Sequence, residues 1–264
     1  MKDNVVAITG ASKGIGAELA RQLAARGAKL VLAARNEKEL EQVAADCRRA
    51  GASVVVVRAD VAVEHDCQGI VAGALLAFGR LDTLVNNAGM SMWARFEDIE
   101  DMSILERIMQ VNYMGSVYCT RHALPHLRET RGRIVAVSSL AGLVGVPTRT
   151  GYSASKHAMR GFFDSLRIEL DDSGITVTMI YPGFVSTGIR ENAAGPDGKP
   201  ILVSPVKEGE VMSVENCARR IVKAIEGRER EVIMTARGKI GLWLKLVAPS
   251  LIDRLAKRAI EQGR

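Results

Sequence analysis

The chain has 264 residues, of which 47% are hydrophobic, 25% charged and 4% aromatic, and its net charge is +6. This composition is typical of a globular protein and excludes collagen-like, low-complexity and small disulfide-stabilised chains. No apolar stretch approaches the roughly 18 residues that a membrane-spanning helix needs. Apolar residues begin at Val5 with no signal-peptide pattern before them, so we expect a cytoplasmic protein.

Short apolar runs alternate with helical patterns along most of the chain. Predicted strands cover residues 5–9, 29–34, 53–59, 81–86, 133–138, 175–181 and 231–234. Predicted helices cover residues 16–26, 37–50, 64–78, part of 95–130, 152–171 and 213–226. Because the runs are continuously apolar and β-branched, we expect strands that are buried on both faces of a parallel sheet. The repeated strand–helix units predict a doubly wound α/β fold, with helices on both faces of the sheet and a single domain.

A glycine-rich turn follows the first predicted strand and opens the first helix, the order that a phosphate-binding turn requires. We expect Gly10 to permit a tight turn, Gly14 to let the backbone approach a pyrophosphate, and Gly16 to let the helix pack closely on the sheet. Free N–H groups at the helix N-terminus would bind the phosphates. The residues of this predicted nucleotide-binding turn are Gly10, Ser12, Lys13, Gly14, Ile15 and Gly16.

The end of the second predicted strand indicates which nucleotide is bound. A site specific for NAD carries an acid there, which accepts hydrogen bonds from the ribose hydroxyls. This chain has Ala34 and then Arg35, and Lys13 adds a second cation from the glycine turn. Two cations without an acid suit a 2′-phosphate, so we predict NADP (NADPH) rather than NAD as the cofactor.

Tyr152 and Lys156 stand four residues apart at the start of a predicted helix, which places both on one face. An ammonium near a phenol lowers the pKa of the tyrosine, which could then exchange a proton with a carbonyl or alcohol oxygen. Ser139 follows the fifth predicted strand, at the sheet edge where doubly wound folds bind ligands. Asn112 lies in a helical stretch that we expect to point at the same crevice.

We expect no metal site in this chain. Its four cysteines form no CxxC pair, so we interpret them as free thiols in a reducing compartment. His122 and His126 are one helical turn apart, but no third ligand accompanies them.

Several motifs occur together in one order and at particular separations along the chain. They are TGASKGIG, NNAG, Asn112, Ser139, YSASK and Pro182-Gly183 followed by Thr187. In this combination, over roughly residues 4–235, the chain resembles the short-chain dehydrogenases/reductases. The resemblance implies a Rossmann-type fold, an oxidoreductase of ketones or secondary alcohols, and a homodimer or homotetramer. The middle section is similar to the branch with hydroxysteroid dehydrogenases and 3-ketosphinganine reductases, which act on large lipophilic ketones.

The resemblance also implies a role for each motif residue. Tyr152 is then the general acid/base, and Lys156 lowers its pKa and holds the nicotinamide ribose. Ser139 would hydrogen-bond the substrate oxygen, and Asn112 would position a water in a proton relay. The remaining implied cofactor contacts are Asp60 and Val61 at the adenine, Asn87, Ala88 and Gly89 along the cleft, and Pro182, Gly183, Val185 and Thr187 at the nicotinamide end.

We expect the catalytic domain to cover residues 1–238, with a mobile substrate loop near 188–212 and an amphipathic, basic helical segment over 239–264. Residues 217–264 hold 12 Lys or Arg against 5 Asp or Glu, so the positive charge is concentrated there. This segment, which carries Trp243, could pack on a partner subunit or on its own domain, or contact a membrane peripherally through residues 240–260. In either arrangement it could help to close the substrate cleft.

The sequence favours an NADP(H)-dependent oxidoreductase of a bulky, apolar ketone or alcohol, with no nucleic-acid partner. One alternative is an NADP-binding sensor or scaffold without turnover, which the intact Ser139, Tyr152 and Lys156 disfavour. Another keeps the reaction but takes a 3-oxoacyl thioester as substrate. Nucleic-acid binding through the basic segment is a further alternative, which predicts a steep salt dependence. Apolar candidates for a substrate pocket are Met90, Met92, Trp93, Leu143, Val144 and Phe184.

Overall fold

The computed structural model describes residues 1–189, 192–202 and 211–261. Within these residues, seven strands form one sheet in which all neighbouring strands are parallel, in the order β3-β2-β1-β4-β5-β6-β7. The strands are β1 (Val5–Thr9), β2 (Lys29–Ala34), β3 (Val54–Arg58), β4 (Thr83–Asn86), β5 (Arg133–Val137), β6 (Thr176–Tyr181) and β7 (Glu231–Ile233).

Helices connect the strands and continue beyond β7. They are α1 (Gly14–Ala24), α2 (Glu37–Arg49), α3 (Glu64–Phe78), α4 (Ser103–Met109), α5 (Gly115–Thr130), α6 (Thr150–Glu169), α7 (Val214–Gly227), α8 (Ala236–Val247) and α9 (Pro249–Glu261). A turn of π-helix, Gln110–Met114, joins α4 to α5, and 3₁₀ turns lie at Phe96–Asp98, Leu140–Gly142 and Asp171–Ser173.

The sheet lies between two hydrophobic cores. In β1, Val6 and Ile8 point into the core that contains residues of α1, α2 and α7. Val5 and Ala7 point to the opposite face, where residues of α3, α5 and α6 form the other core. Because successive strand residues alternate between two buried faces, each strand is apolar along its whole length.

The chain reverses its direction of progress across the sheet at the centre. It moves outward from β1 to β3, returns to place β4 beside β1, and then moves outward to β7. The connections that leave β1 and β4 therefore diverge to opposite faces and open a crevice at the carboxyl ends of these strands. This position is where a doubly wound sheet binds its ligand.

The predicted doubly wound α/β fold in a single domain is confirmed, and every strand bound lies within two residues of its prediction. The C-terminal helical segment begins at Ala236, and Pro249 divides it into two helices because a proline cannot continue the preceding one. The predicted mobile loop near 188–212 lies partly outside the described residues, at 190, 191 and 203–210. Residues 262–264 of the predicted C-terminal segment are outside them as well.

Candidate active site

One cavity of about 1620 Å³ runs along the carboxyl ends of the central strands. It brings together almost all of the predicted site residues, although they come from separate parts of the chain. Gly16 and Asn112 stand behind its wall rather than in it. The predicted site residues that line the cavity are Gly10, Ser12, Lys13, Gly14, Ile15, Arg35, Asp60, Val61, Asn87, Ala88, Gly89, Ser139, Tyr152, Lys156, Pro182, Gly183, Val185 and Thr187.

The glycine turn between β1 and α1 has the geometry that its sequence predicts. Gly10 and Gly14 adopt φ angles of +64° and +54°, the left-handed region in which a side chain is strained. A Cβ atom on Gly16 would stand 2.4 Å from the carbonyl oxygen of Gly10, so a larger residue there would push α1 off the turn. The backbone is thus free to form a cradle at the N-terminus of α1, which fits the diphosphate of a dinucleotide.

Two side chains join the ends of β1 and β4 beneath this cradle. The hydroxyl of Thr9 accepts hydrogen bonds from the backbone N–H groups of Asn87 and Ala88, both at 3.0 Å. The side-chain amide of Asn87 donates to the carbonyl oxygens of Thr9 at 2.9 Å and Gly10 at 3.1 Å. Asn87 therefore both lines the cleft and supports the glycine turn from behind.

An acid from the first turn of α2 lies close to the end of β2, and the sequence pattern did not reveal it. Lys13 pairs with Glu39 of α2, with 2.7 Å between Nζ and Oε1, and Glu39 lines the cavity. Arg35 lies 4.0 Å from the carboxylate of Asp60. Both cations predicted to bind a 2′-phosphate are thus present and exposed, but each has a carboxylate beside it. The sequence pattern does not indicate Glu39, because this residue follows the end of β2 by five positions. It lies at the cleft only because it is in the first turn of α2.

Tyr152 lies in the first turn of α6 and is buried. Burial raises the pKa of its phenol, and the charge of Arg149 and a hydrogen bond with the Ser139 side chain act in the opposite direction. The expectation of a lowered pKa is therefore wrong in its net direction, because loss of hydration outweighs the favourable neighbours. Ser139 itself caps the 3₁₀ turn after β5, since its hydroxyl accepts from the N–H of Ala141 at 3.2 Å.

Lys156 follows one turn later on α6 and is only 4% exposed. Its Nζ donates to the carbonyl oxygen of Val137 at 2.9 Å and lies 5.8 Å from the centre of the Tyr152 ring. Burial lowers the pKa of this amine from 10.5 to about 7. Tyr152 and Lys156 thus occupy one buried end of the cavity, next to Ser139, as their spacing predicts.

Asn112 braces this end of the site. Its side chain accepts from the N–H of Met90 at 2.8 Å and donates to the Met90 carbonyl oxygen at 3.0 Å and to Ser155 Oγ at 2.9 Å. These bonds tie the π-helical turn to the segment after β4 and to α6. The predicted role of Asn112 in positioning a water stays a prediction.

Arg149 is the main site residue that the sequence did not indicate. It precedes α6, is only 7% exposed and lines the cavity. Its guanidinium carbon lies 4.5 Å from the ring centre of Trp93, 5.1 Å from that of Phe184 and 5.8 Å from that of Tyr152. An arginine in a stretch of small and polar residues has no local signal of burial, because its aromatic neighbours come from distant loops.

The two C-terminal helices cover the mouth of the cavity. Lys245 of α8 is fixed to the loop after β5, with its Nζ 2.7 Å from the carbonyl oxygen of Leu143. The segment thus lies where it could help to close the substrate cleft, which stays a prediction. The residues of α8 and α9 that line the cavity are Arg237, Gly238, Ile240, Gly241, Leu244, Ile252, Leu255, Ala256, Arg258, Ala259 and Ile260.

Comparison with known proteins agrees with this fold. Residues 4–196 match the family model described as short chain dehydrogenase. The 11-beta-hydroxysteroid dehydrogenase A of Sesamum indicum is 40% identical over 255 residues, which cover 94% of this chain and 73% of that protein. The 11-beta-hydroxysteroid dehydrogenase-like 4A of Arabidopsis thaliana is 41% identical over 258 residues, covering 96% of this chain and 84% of that protein. The chain belongs to the short-chain dehydrogenase/reductase family, whose members are oxidoreductases that use nicotinamide cofactors.

Solved structures of this family have the same architecture. A short-chain dehydrogenase/reductase from Burkholderia phymatum, in complex with NAD, superimposes with a TM-score of 0.86 and 28% identity, and the match covers 95% of each chain. An alcohol dehydrogenase from Thermococcus sibiricus, complexed with 5-hydroxy-NADP, gives a TM-score of 0.76 and 25% identity over 88% of this chain and 96% of that one.

Residues 1–189, 192–202 and 211–261 contain no group of three or more His, Cys, Asp or Glu side chains that could hold a metal ion. In the same ranges, every helix is too short or too polar to cross a membrane.

We expect Lys156→Met to stabilise the fold, because it removes a buried amine whose charged form is costly. The folded pKa of about 7 lies below the unfolded value of 10.5, so this cost is complete below pH 7 and declines as the pH rises toward 10.5. In urea titrations at several pH values, the stability gap between Lys156→Met and the native protein should therefore narrow by about 1.4 kcal/mol per pH unit above pH 7. Lys223→Met, on the exposed side of α7, is the control and should change stability by less than about 0.5 kcal/mol. A gap that stays constant with pH would contradict this account of Lys156.

Proposed function

We propose that this protein is an NADP(H)-dependent oxidoreductase that interconverts a bulky, apolar ketone and its secondary alcohol. The observation that carries the proposal is the convergence of Ser139, Tyr152 and Lys156 at one buried end of a cavity whose other end is a phosphate cradle. The cavity, of about 1620 Å³, is large enough to hold a dinucleotide and a substrate together. The family to which the chain belongs supports this class of reaction.

The residues at the buried end have complementary tasks in such a reaction. The hydroxyl of Tyr152 gives its proton to the carbonyl oxygen of the substrate, and takes it back in the reverse direction. Ser139 hydrogen-bonds the same oxygen and stabilises the charge that develops on it. Lys156, anchored on Val137, orients the nicotinamide ribose and, in its protonated form, places a positive charge near the phenol. The reduced nicotinamide, when bound, supplies the hydride for the carbonyl carbon.

A bulky apolar substrate fits the walls that surround Tyr152. Leu143, Val144 and Phe184 line the cavity on one side, and aliphatic residues of α8 and α9 line its mouth. Two of the similar proteins are hydroxysteroid dehydrogenases or related proteins by name, and steroids are large apolar molecules of this kind. These observations favour a steroid-like or long-chain ketone over a 3-oxoacyl thioester.

NADP is the cofactor that we propose, because β2 ends at Ala34 and is followed by Arg35, with no acid at the position that would accept from the ribose hydroxyls. Lys13 and Arg35 are both exposed, so they could turn to a 2′-phosphate. Glu39 opposes this preference by pairing with Lys13 and by repelling a phosphate. Because of Glu39, we expect a smaller preference for NADP over NAD than Lys13 and Arg35 would give without it.

We further propose that the outer face of α8 and α9 docks on an anionic lipid surface and receives the substrate there. Trp243, Leu246 and Val247 are 71%, 73% and 76% exposed, an unusual density of large apolar side chains on one short helix. Residues 236–261 carry six Lys or Arg and two Asp or Glu, which suits anionic headgroups. The inner face of the same helices lines the cavity, so a lipophilic molecule would have a short path from the lipid to Tyr152. The predicted homodimer or homotetramer remains a separate prediction.

Purified protein should oxidise NADPH with bulky ketones, such as steroid ketones and long-chain keto-lipids, faster than with short ketones or 3-oxoacyl thioesters. The change Tyr152→Phe removes the proton donor and should lower kcat by about 10²–10⁴-fold while NADPH still binds. Steady-state absorbance assays measure the rates, and a fluorescence titration of NADPH measures the binding. Normal NADPH binding without turnover of any ketone would favour the sensor or scaffold. Equal turnover by Tyr152→Phe would contradict the proposed mechanism.

The changes Lys13→Ala and Arg35→Ala should each weaken NADPH binding by about tenfold, because exposed charge-assisted contacts to a phosphate are lost. NADH binding should change little, since NADH lacks the 2′-phosphate. Glu39→Gln should act in the opposite direction and strengthen NADPH binding a few-fold, because it frees Lys13 and removes a repulsion. Calorimetric titrations of both cofactors test all three variants. Tighter binding of NADH than of NADPH by the native protein would show that the charge pattern at β2 was misinterpreted.

The triple change Trp243→Ser, Leu246→Ser and Val247→Ser should abolish co-sedimentation with phosphatidylglycerol vesicles, because it removes the apolar contact. Phosphatidylcholine vesicles should bind the native protein less, since they lack the negative charge. Leu76→Ser is the matched control, because Leu76 is 89% exposed on α3, outside α8 and α9, and its loss should leave vesicle binding unchanged. Light scattering gives the molar mass of each variant. A fall in mass with no change in vesicle binding would instead assign this face to a subunit interface.

A further inference from the structure

Arg149 carries a positive charge into the buried end of the cavity, three residues before Tyr152. Its guanidinium lies over the rings of Trp93 and Phe184, at 4.5 Å and 5.1 Å from their centres. The same group lies 5.8 Å from the centre of the Tyr152 ring. A guanidinium is planar and weakly hydrated, so stacking between aromatic rings holds it in place at a small desolvation cost.

The backbone around Arg149 is fixed as well. The carbonyl oxygen of Arg149 accepts a hydrogen bond from the N–H of Ser153 at 2.7 Å. The N–H of Arg149 donates to the carbonyl oxygen of Val146 at 3.3 Å. On the other side of the guanidinium, the N–H of Trp93 donates to Ala194 at 2.8 Å. Both the charge and the ring above it are therefore anchored through the main chain.

Among the cationic neighbours of Tyr152, Arg149 is the one whose charge changes least with pH. Lys156, on the same helix, has a pKa near 7 and loses part of its charge around neutral pH, whereas an arginine stays charged. Arg107 of α4 lines the cavity but is directed to Asp101, at 3.5 Å. The π-helical turn, the 3₁₀ turn Leu140–Gly142 and β6 bring no charged side chain to the cavity lining. The other charged residues that line the cavity, within the described part of the chain, are Arg237 of α8 and Arg258 of α9 at the mouth, and Lys13, Arg35, Glu39 and Asp60 at the opposite end.

We propose that Arg149 is a positioning residue for Tyr152: the Arg149 guanidinium, held against the rings of Trp93 and Phe184, orients the tyrosine ring and stabilises its phenolate. The inference rests on the proposed function for its catalytic meaning, since it assigns Tyr152 the proton transfer. In the direction of alcohol oxidation, the phenolate is the base that accepts the proton of the alcohol. A fixed positive charge about 6 Å from the ring centre of a buried tyrosine is sufficient to change the ionisation of that base by about one to two pH units.

The first test is a spectroscopic titration that needs no turnover. Ultraviolet difference absorbance reports phenolate formation, and the signal of Tyr152 is isolated by subtracting the Tyr152→Phe form of each variant. In Arg149→Met, the midpoint for Tyr152 should move to higher pH by about one unit or more, because the stabilising charge is gone. Arg149→Lys keeps a charge and should restore most of the native midpoint.

A matched control lies on the same helix. Arg160 stands 6.0 Å from the ring centre of a different tyrosine, Tyr181. Arg160→Met therefore removes an equivalent arginine–tyrosine contact, and it should leave the midpoint of Tyr152 unchanged. Arg149→Gln serves as a second neutral variant, with the same expectation, if Arg149→Met does not fold.

The second test follows alcohol oxidation with NADP as a function of pH. Arg149→Met should lower kcat about tenfold at neutral pH, and the loss should disappear at alkaline pH where Tyr152 ionises without help. KM should change less than kcat, because the residue acts on the base rather than on substrate binding. A residue that only supports the fold would lower the rate equally at all pH values.

The outcomes separate this inference from the proposed function. A native midpoint in both neutral variants, with unchanged circular dichroism, would overturn the role of Arg149 even if the enzyme is active. A shifted midpoint in a protein without turnover would support the coupling and contradict the proposed function instead. A rate loss in Arg149→Met that persists at alkaline pH would also overturn the role of Arg149.

Discussion

The hydrogen bonds between Thr9 and the residues that follow β4 hold the site together. They join the two strands that separate at the centre of the sheet, and they do so within one residue of the glycine turn. Each backbone group they satisfy lies where the ladder between parallel strands has just ended, and an unpaired group there would be costly. The cradle on one side and the cleft wall at Gly89 on the other therefore keep a fixed separation. Asn112 extends this connection to α6 through Met90 and Ser155.

The fold supports a chemical site that is itself unfavourable for stability. Tyr152 and Lys156 are both buried, and burial favours the neutral form of each side chain. It raises the pKa of Tyr152 and lowers the pKa of Lys156. Packing and hydrogen bonds keep the start of α6 in place despite this unfavourable burial. One of these bonds runs from Ser138 Oγ to the carbonyl oxygen of Lys156, at 3.4 Å. The sheet and its two cores supply the stability that offsets this cost.

The sequence predicts the fold and most of the site because both depend on local patterns. Buried parallel strands must be continuously apolar, and a turn with positive φ angles needs glycines, so these features are legible one segment at a time. Arg149 and Glu39 are different, since each acquires its role from distant residues. Nothing near Arg149 predicts that Trp93 and Phe184 will enclose it. The net direction of the Tyr152 pKa also depends on burial, which the spacing of two residues in a helix does not report.

The cover formed by α8 and α9 and the charges around Tyr152 depend on each other. Electrostatic interactions weaken steeply when water enters a site, so Arg149 acts strongly on Tyr152 only while the cavity is closed. Aliphatic residues of the two helices line the cavity and reduce its contact with water, and Lys245 fixes α8 to the loop that follows β5. A bulky apolar substrate would complete this exclusion better than a small polar one, because it fills the space between the cover and the tyrosine. Preference for large lipophilic substrates and efficient proton transfer would then have the same physical origin, a dry environment around Tyr152.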